Sequence, residues 1–312
     1  MYSNQSSWEY YMIAAVGESL IDRIGDKDVV GGCAFNTALA ASRLGAAVTF
    51  FGKVSKDQYG SMILEKMIDD GVLFDPELCN AEEPTLCSKV VLDDEGKAKY
   101  VFDYKNTAAC TFTKAELSKS FANETDIDLV FFGSISLLME PGCEEIMPAI
   151  NSIDSRPKYF LDPNIRPSMV IDSEAYRLMI FSLVGGCDIV KASDEDIAFL
   201  FPDLPLEEAE RRFASLCEWN LVVTRGAKGS TWYTKFFKVD CPAVKVDNLV
   251  DTIGCGDTFN AAIMEYLQTN NLIGQISELD KPTVERILEH ASKAAALNCT
   301  KEGCDPPYRD EL

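Results

Sequence analysis

The chain has 312 residues, 47% of them hydrophobic and 25% charged, with 29 Lys and Arg against 50 Asp and Glu for a formal net charge of −21. This is a globular composition with apolar content for one large core, and it predicts a single domain over 1–312. Its acidity argues against nucleic acid and anionic membrane surfaces as partners, though not against a small anion held by local backbone dipoles. No apolar run nears the roughly 20 residues of a membrane span. Eleven cysteines, an odd number without a C-x-x-C pair, argue against a disulfide framework or a zinc site. With a polar N-terminus that lacks a leader pattern, they predict a cytoplasmic protein with reduced thiols. The single histidine, His290, leaves no material for Ser-His or Cys-His catalysis.

In chain order, Tyr11–Gly17 reads as a buried strand, followed by Glu18-Ser19-Leu20-Ile21-Asp22. A carboxylate at the end of an apolar strand is costly to bury unless it binds something, so Asp22 is either a hydrogen-bond acceptor for a ligand or an exposed turn acid. Gly31-Gly32 opens a helix of small residues that Gly45 ends. The glycines let a ligand approach the backbone, and Asn36, one turn into the helix, offers both a donor and an acceptor. Val48–Gly52 is a strand, Lys53–Gly60 a polar loop, and Ser61–Asp70 a helix ended by Gly71. Ser88–Leu92 and Lys99–Tyr104 flank Asp93-Asp94-Glu95-Gly96, a hairpin signal. Period two puts Tyr100, Phe102 and Tyr104 on one face, as in a half-buried hairpin or a small β lid with an aromatic underside.

From there, strands and helices alternate. Leu129–Phe132 and Tyr159–Leu161 are continuous apolar runs, which points to a parallel sheet covered on both faces with ligands at the carboxyl ends of its strands. Asp162-Pro163-Asn164-Ile165-Arg166 lies just past such an end, where Arg166 can present a planar fork to an anion or pair with Asp162. Asp188–Asp196 repeats the pattern, with Lys191 near the strand end and Ser193 as a cap. Leu221–Thr224 is a strand whose turn carries Gly226 and Gly229, and Val284–Asn298 is an Ala-rich helix.

The stretch Asp251-Thr252-Ile253-Gly254-Cys255-Gly256-Asp257 runs into an apolar stripe at helical spacing, Phe259, Ala262, Ile263, Tyr266 and Leu267. A helix N-terminus preceded by glycines suits an anion. A carboxylate there is repelled by that anion, so Asp257 is either a plain N-cap or a general base beside a phosphoryl group. Two commoner nucleotide signatures are missing: Phe259 stands where G-x-G-x-x-G needs its third glycine, and Lys228-Gly229-Ser230 has the P-loop letters in the wrong order.

Asp251–Asp257 resembles the D-T-x-G-A-G-D signature of the PfkB, or ribokinase-like, family of carbohydrate kinases, with Cys255 for alanine. Gly31–Gly45 resembles that family's G-G-x-x-x-N opening, Gly17–Asp22 its fructokinase G-E-[AS]-L-[IV]-D run, and Asp162–Arg166 a D-P-N-x-R run. The resemblance implies a ribokinase-like, doubly wound, mostly parallel α/β sheet with helices on both faces and a small β lid from segments near 20–30 and 85–108. It implies ATP-dependent phosphorylation of a sugar's primary alcohol, with Asp257 as base and Gly254, Cys255 and Gly256 as anion hole. Asp22, Gly31, Gly32, Asn36, Phe102, Asn164 and Arg166 would face the sugar. Lys191, Ser193, Thr224, Gly226, Gly229 and Asn298 would serve the nucleotide, with Asn298 toward the adenine. Asp196, standing where the family has Glu, would support Mg²⁺ through water, and Asp251 a monovalent cation such as K⁺. Fructose is the first expected acceptor, and 2-keto-3-deoxygluconate, ribose or a nucleoside the alternatives. A non-catalytic sugar- or nucleotide-binding regulator is the rival from another class. An open lid edge is also where two copies could pair as a homodimer.

Overall fold

The computed structural model describes residues 11–24, 27–92, 98–124, 126–218 and 220–312. In chain order the elements are β1 (Met12–Val16), β2 (Leu20–Ile24), β3 (Lys27–Gly31), α1 (Cys33–Leu44), β4 (Val48–Phe51), α2 (Gln58–Asp69), β5 (Leu73–Phe74), β6 (Cys87–Leu92), β7 (Ala98–Phe102), α3 (Lys114–Asn123) and β8 (Ile127–Gly133). They continue with α4 (Cys143–Ile150), β9 (Lys158–Asp162), α5 (Ser173–Val184), β10 (Ile189–Ser193), α6 (Asp194–Leu200), α7 (Leu206–Leu216), β11 (Leu221–Thr224), β12 (Ser230–Tyr233), β13 (Lys238–Cys241), α8 (Cys255–Thr269) and α9 (Lys281–Asn298).

The main sheet has the order β13-β12-β11-β10-β9-β8-β1-β4-β5. All its pairings are parallel except β11–β12 and β12–β13 at one edge. Alternation along each strand feeds two cores. Ile13 and Ala15 of β1 and Leu129 and Phe131 of β8 join one core with α1 and α8. Ala14, Val16, Val130 and Phe132 join the other with residues of α3 to α7. Strands buried on both faces read as continuous apolar runs, which is why the sequence showed no alternation there.

The chain starts in the middle of this sheet, builds β4 and β5 to one side of β1, then crosses to β8 on the other. That reversal opens a crevice beyond the carboxyl ends of β1 and β8, where a doubly wound sheet takes its ligand.

The lid is a second sheet, β3-β2-β6-β7. It consists of two antiparallel strand pairs, β2–β3 and β6–β7, joined by a parallel β2–β6 pairing. Its β7 stops at Phe102, two residues short of the expected strand end at Tyr104. Phe102 and Tyr104 both pack against a small cluster of Leu20, Leu86, Ile135 and Met139. The expected turn at 93–96 and the Tyr100 side chain lie outside the described residues.

The expected polar loop at Lys53–Gly60 is helical from Gln58 onward. Asp57 is the reason: its side chain accepts the Gly60 N–H at 2.7 Å and caps α2 one turn earlier than the apolar stripe suggests.

Candidate active site

A cavity of about 600 Å³ fills the crevice. Asp22, Gly32, Asn36, Phe102, Asn164, Arg166, Asp251, Gly254, Gly256 and Asp257 all line it. The sequence expected each of them. Glu18, Leu20, Cys33, Ser134, Ile135 and Glu195 line it as well and were not singled out.

Its floor is the start of α8. Gly254 adopts φ 71 as N-cap, and a Cβ there would meet Cys304 Sγ at 2.3 Å, so only glycine fits this left-handed, tightly packed position. Asp257 is therefore not the cap; it stands within the first turn, at 7% exposure. Among the turn's N–H groups, that of Cys255 is engaged with Thr252 O at 3.3 Å. Helix geometry leaves those of Gly256 and Asp257 without intrahelical acceptors. Asp251 clasps the turn from behind, accepting from the Thr252, Ile253 and Gly303 N–H groups at 2.6, 2.9 and 3.1 Å.

The Asp257 carboxylate is held by two neighbours from α1. Asn36 Nδ2 donates to Oδ2 at 2.9 Å, and the Cys33 thiol hydrogen-bonds the same group. Burial raises the Asp257 pKa above its ordinary value, as does Asp162, while Asn36, Cys33 and the Lys191 charge pull it back only in part. If Asp257 acts as a general base it must be deprotonated to work, so turnover is full above its pKa and is lost as pH falls through it, at a higher pH than for an ordinary Asp. Replacing Asn36 by Ala removes a donor to the charged form. The acid limb of a kcat/KM profile then moves to higher pH, with KM raised; an unmoved limb would detach Asn36 from the base.

Beneath the turn, Lys191 Nζ donates to Asp162 Oδ2 at 2.8 Å, with both side chains at 5% exposure or less. Asn260 Nδ2 adds a bond to the same oxygen at 2.7 Å. Burial pulls the ammonium down, but Asp162, Asp196 and Asp257 together raise it above its ordinary value, so it stays charged. Its nitrogen lies 3.2 Å from where a Gly256 Cβ would stand, directly under the turn. Cys33, Asp162 and Asp257 also bring ligand atoms within 4.8 Å of one another. Lys191 already supplies a cation to that cluster.

On the lid side, Asp22 is bonded by the Ser88 hydroxyl. Gly31 makes room for it, since a Cβ there would stand 2.5 Å from Asp22 Oδ2. Burial raises the Asp22 pKa, while Ser88 and the Arg166 charge lower it. Arg166 does not pair with Asp162, which Lys191 has taken. It donates instead to Asn164 Oδ1 at 2.6 Å, and the Asn164 N–H is bonded by Asp162 Oδ1 at 3.1 Å. Gly32, with φ 111, caps α1, where a Cβ would stand 2.6 Å from Glu18 O. The Glu18 carboxylate accepts the Cys33 N–H at 2.9 Å and the Ser136 hydroxyl. It thereby fixes the start of the helix that carries Asn36.

The remaining expected residues do not line the cavity. Ser193 and Thr224 are register partners at the carboxyl ends of β10 and β11. Gly226 and Gly229 lie in the turn that joins β11 to β12. Both Asp196 oxygens are occupied, Oδ2 by the Ser193 N–H and hydroxyl and Oδ1 by the Ile165 N–H at 2.7 Å. Asn298 is fully buried and donates to Ile253 O at 2.8 Å and Cys255 Sγ at 3.3 Å. No helix among the described residues is long and apolar enough to cross a membrane.

Comparison with known proteins agrees with this geometry. The family described as pfkB family carbohydrate kinase matches residues 11–311. A fructokinase of Rhizobium leguminosarum bv. trifolii is 33% identical over 282 residues, 86% of this chain and 84% of that protein. A fructokinase double mutant from Vibrio cholerae O395, solved with fructose, ADP and potassium ion, superposes with TM-score 0.78 at 22% identity, over 95% of this chain and 94% of that one. An aminoimidazole riboside kinase from Salmonella enterica, complexed with aminoimidazole riboside and an ATP analogue, gives 0.79 at 18% identity, over 96% and 98%.

Proposed function

Because the chain belongs to the pfkB family of carbohydrate kinases, we propose that it transfers the γ-phosphoryl of Mg-ATP to the primary alcohol of a small sugar, fructose first. One observation carries the reading. A buried carboxylate with a raised pKa, Asp257, sits at a helix N-terminus on the floor of a cavity that Asp22, Asn164 and Arg166 also line. Fructose comes first because curated relatives covering most of the chain are fructokinases at 28–33% identity. The likeness to an aminoimidazole riboside kinase keeps a nucleoside as the alternative.

In this reading the sugar lies between the lid and α8, with hydroxyls on Asp22, Asn36 and Asn164. Asp257 takes the proton of the attacking alcohol. The N–H groups of the first turn, with the Lys191 ammonium beneath them, hold the charge on the phosphoryl group. Phe102 and Leu20 form an apolar cover that keeps water, the competing acceptor, away. The nucleotide lies along the ends of β10 and β11, over Ser193, Thr224, Gly226 and Gly229. Mg²⁺ bound with the nucleotide would neutralise phosphate charge; Glu195, which lines the cavity, would face it, and Asp196, both oxygens occupied, would act only through water. The Asp251 side chain is satisfied by three N–H groups, so a K⁺ ion here would rely on loop carbonyls. The outer lid strands β3 and β7 each leave a backbone edge through which a homodimer would form.

The test is ADP release with Mg-ATP and K⁺ against fructose, ribose, 2-keto-3-deoxygluconate and a nucleoside. Fructose should give the highest kcat/KM. A better rate with another acceptor keeps the chemistry and discards fructose. Silence across the panel from folded, ATP-binding protein would favour a regulator that binds without turnover.

A further inference from the structure

Three cysteines meet at the turn that starts α8. Cys304 packs so closely against Gly254 that a Cβ on that glycine would stand 2.3 Å from its sulfur, while Cys255 and Cys299 face each other with their sulfurs 2.8 Å apart. Cys255 is the first residue of α8, and Cys299 is the residue that ends α9. Both are partly accessible, and both are free thiols. A disulfide sulfur–sulfur bond is about 2.05 Å, so the two sulfurs have under about 1 Å left to approach. The backbone around it is already knit together. Cys299 O accepts the Val250 and Asp251 N–H groups at 2.9 and 3.3 Å, and the Asn298 amide bridges Ile253 O and Cys255 Sγ. This is a prepositioned cysteine pair 44 residues apart in sequence, directly beside the turn that receives the phosphoryl group.

The geometry points to Cys255 and Cys299 as a reversible disulfide site that lowers phosphoryl transfer when oxidised. The inference rests on the reading of 254–256 as the anion hole. The co-reactant is a low-molecular-weight disulfide. One protein thiolate attacks a sulfur of that reagent, its S–S bond breaks, and one small thiol leaves, giving a mixed disulfide. The second cysteine loses its proton to water and attacks the protein sulfur of the mixed disulfide, and the second small thiol leaves. Two protein thiols are oxidised and one small disulfide is reduced to two thiols. The bond draws the start of α8 toward the end of α9. A misplacement on the order of 1 Å at a reacting group can cost up to about 10²-fold, so a loss of roughly 10- to 100-fold in kcat is expected.

The experiment treats the full chain with oxidised glutathione and follows both sugar-dependent ADP release and the mass of alkylated peptides. Expected is a peptide cross-linked through Cys255 and Cys299, with kcat falling in step and returning on addition of dithiothreitol. Cys299→Ser should turn over normally before oxidation and form no cross-link. A glutathione adduct without the cross-link, a bond to Cys304 instead, or a cross-linked enzyme with unchanged kcat would each overturn the inference. If the reduced enzyme turns over no acceptor, the kinase reading fails instead, while the mass spectrum still reports on the cysteine pair.

Discussion

Asp257→Asn is expected to lower kcat with the best acceptor by about 10²–10⁴-fold, the usual worth of a positioned general base, while leaving nucleotide affinity nearly unchanged. The substitution keeps the shape of the side chain and removes only its ability to take a proton. It should also leave the protein as stable as before, or more so. Asp257 is buried and its pKa is raised, chiefly by desolvation and by the neighbouring Asp162, so the charged form is less comfortable in the folded protein than in the unfolded chain. A group with a raised carboxyl pKa costs stability at neutral pH, and neutralising it removes that cost. Loss of activity together with a held or increased melting temperature is the signature of a residue retained for chemistry. Turnover in the variant within about tenfold of the parent would end the assignment of Asp257 as the base. ADP release and thermal unfolding measured on one preparation decide the matter.

What the sequence made legible was local. The glycines and the apolar stripe marked α1 and α8 with their ends, and continuous apolar runs marked the parallel strands. The residues that line the cavity were also legible wherever a motif placed them, because each motif is a strand end or a helix start, and the fold gathers those ends at one edge of the sheet. What could not be read were the contacts between distant segments. Asn36 was expected to face a sugar; it also bonds Asp257, 221 residues away, because α1 and α8 pack side by side. No spacing in the chain encodes that pair. Arg166 does not take Asp162, one of its two expected partners, since Asp162 is claimed by Lys191 from the adjacent strand. Glu18 was quoted within a motif but given no task. Its task, bonding the Cys33 N–H, exists only once the strand after Gly17 lies against the start of α1. Asp196, expected to support Mg²⁺ through water, also caps α6 in a capping box, which Ser193 three residues earlier already signalled.

Lys191→Met should be the most destabilising of the single changes considered. The substitution leaves Asp162 wholly buried and without its only ionic partner among the described residues, and breaking a buried ion pair from one side costs roughly 3–5 kcal/mol. The Asn260 and Asn164 N–H bonds to Asp162 remain, which places the expectation at the lower end of that range. Urea unfolding would read it. A second effect should appear in catalysis. Lys191 helps hold the Asp257 carboxylate in its charged form, so its removal raises the Asp257 pKa further, and, with Asp257 as the proposed base, the acid limb of the rate profile moves to higher pH. The double variant Lys191→Met with Asp162→Asn separates the two roles. If the ammonium only balances Asp162, neutralising both partners should restore stability and activity together. If it also holds charge on the phosphoryl group from beneath Gly256, stability should recover while kcat stays low. The position of its nitrogen under the turn favours the second result. Full recovery of kcat in the double variant would reduce Lys191 to a counter-ion.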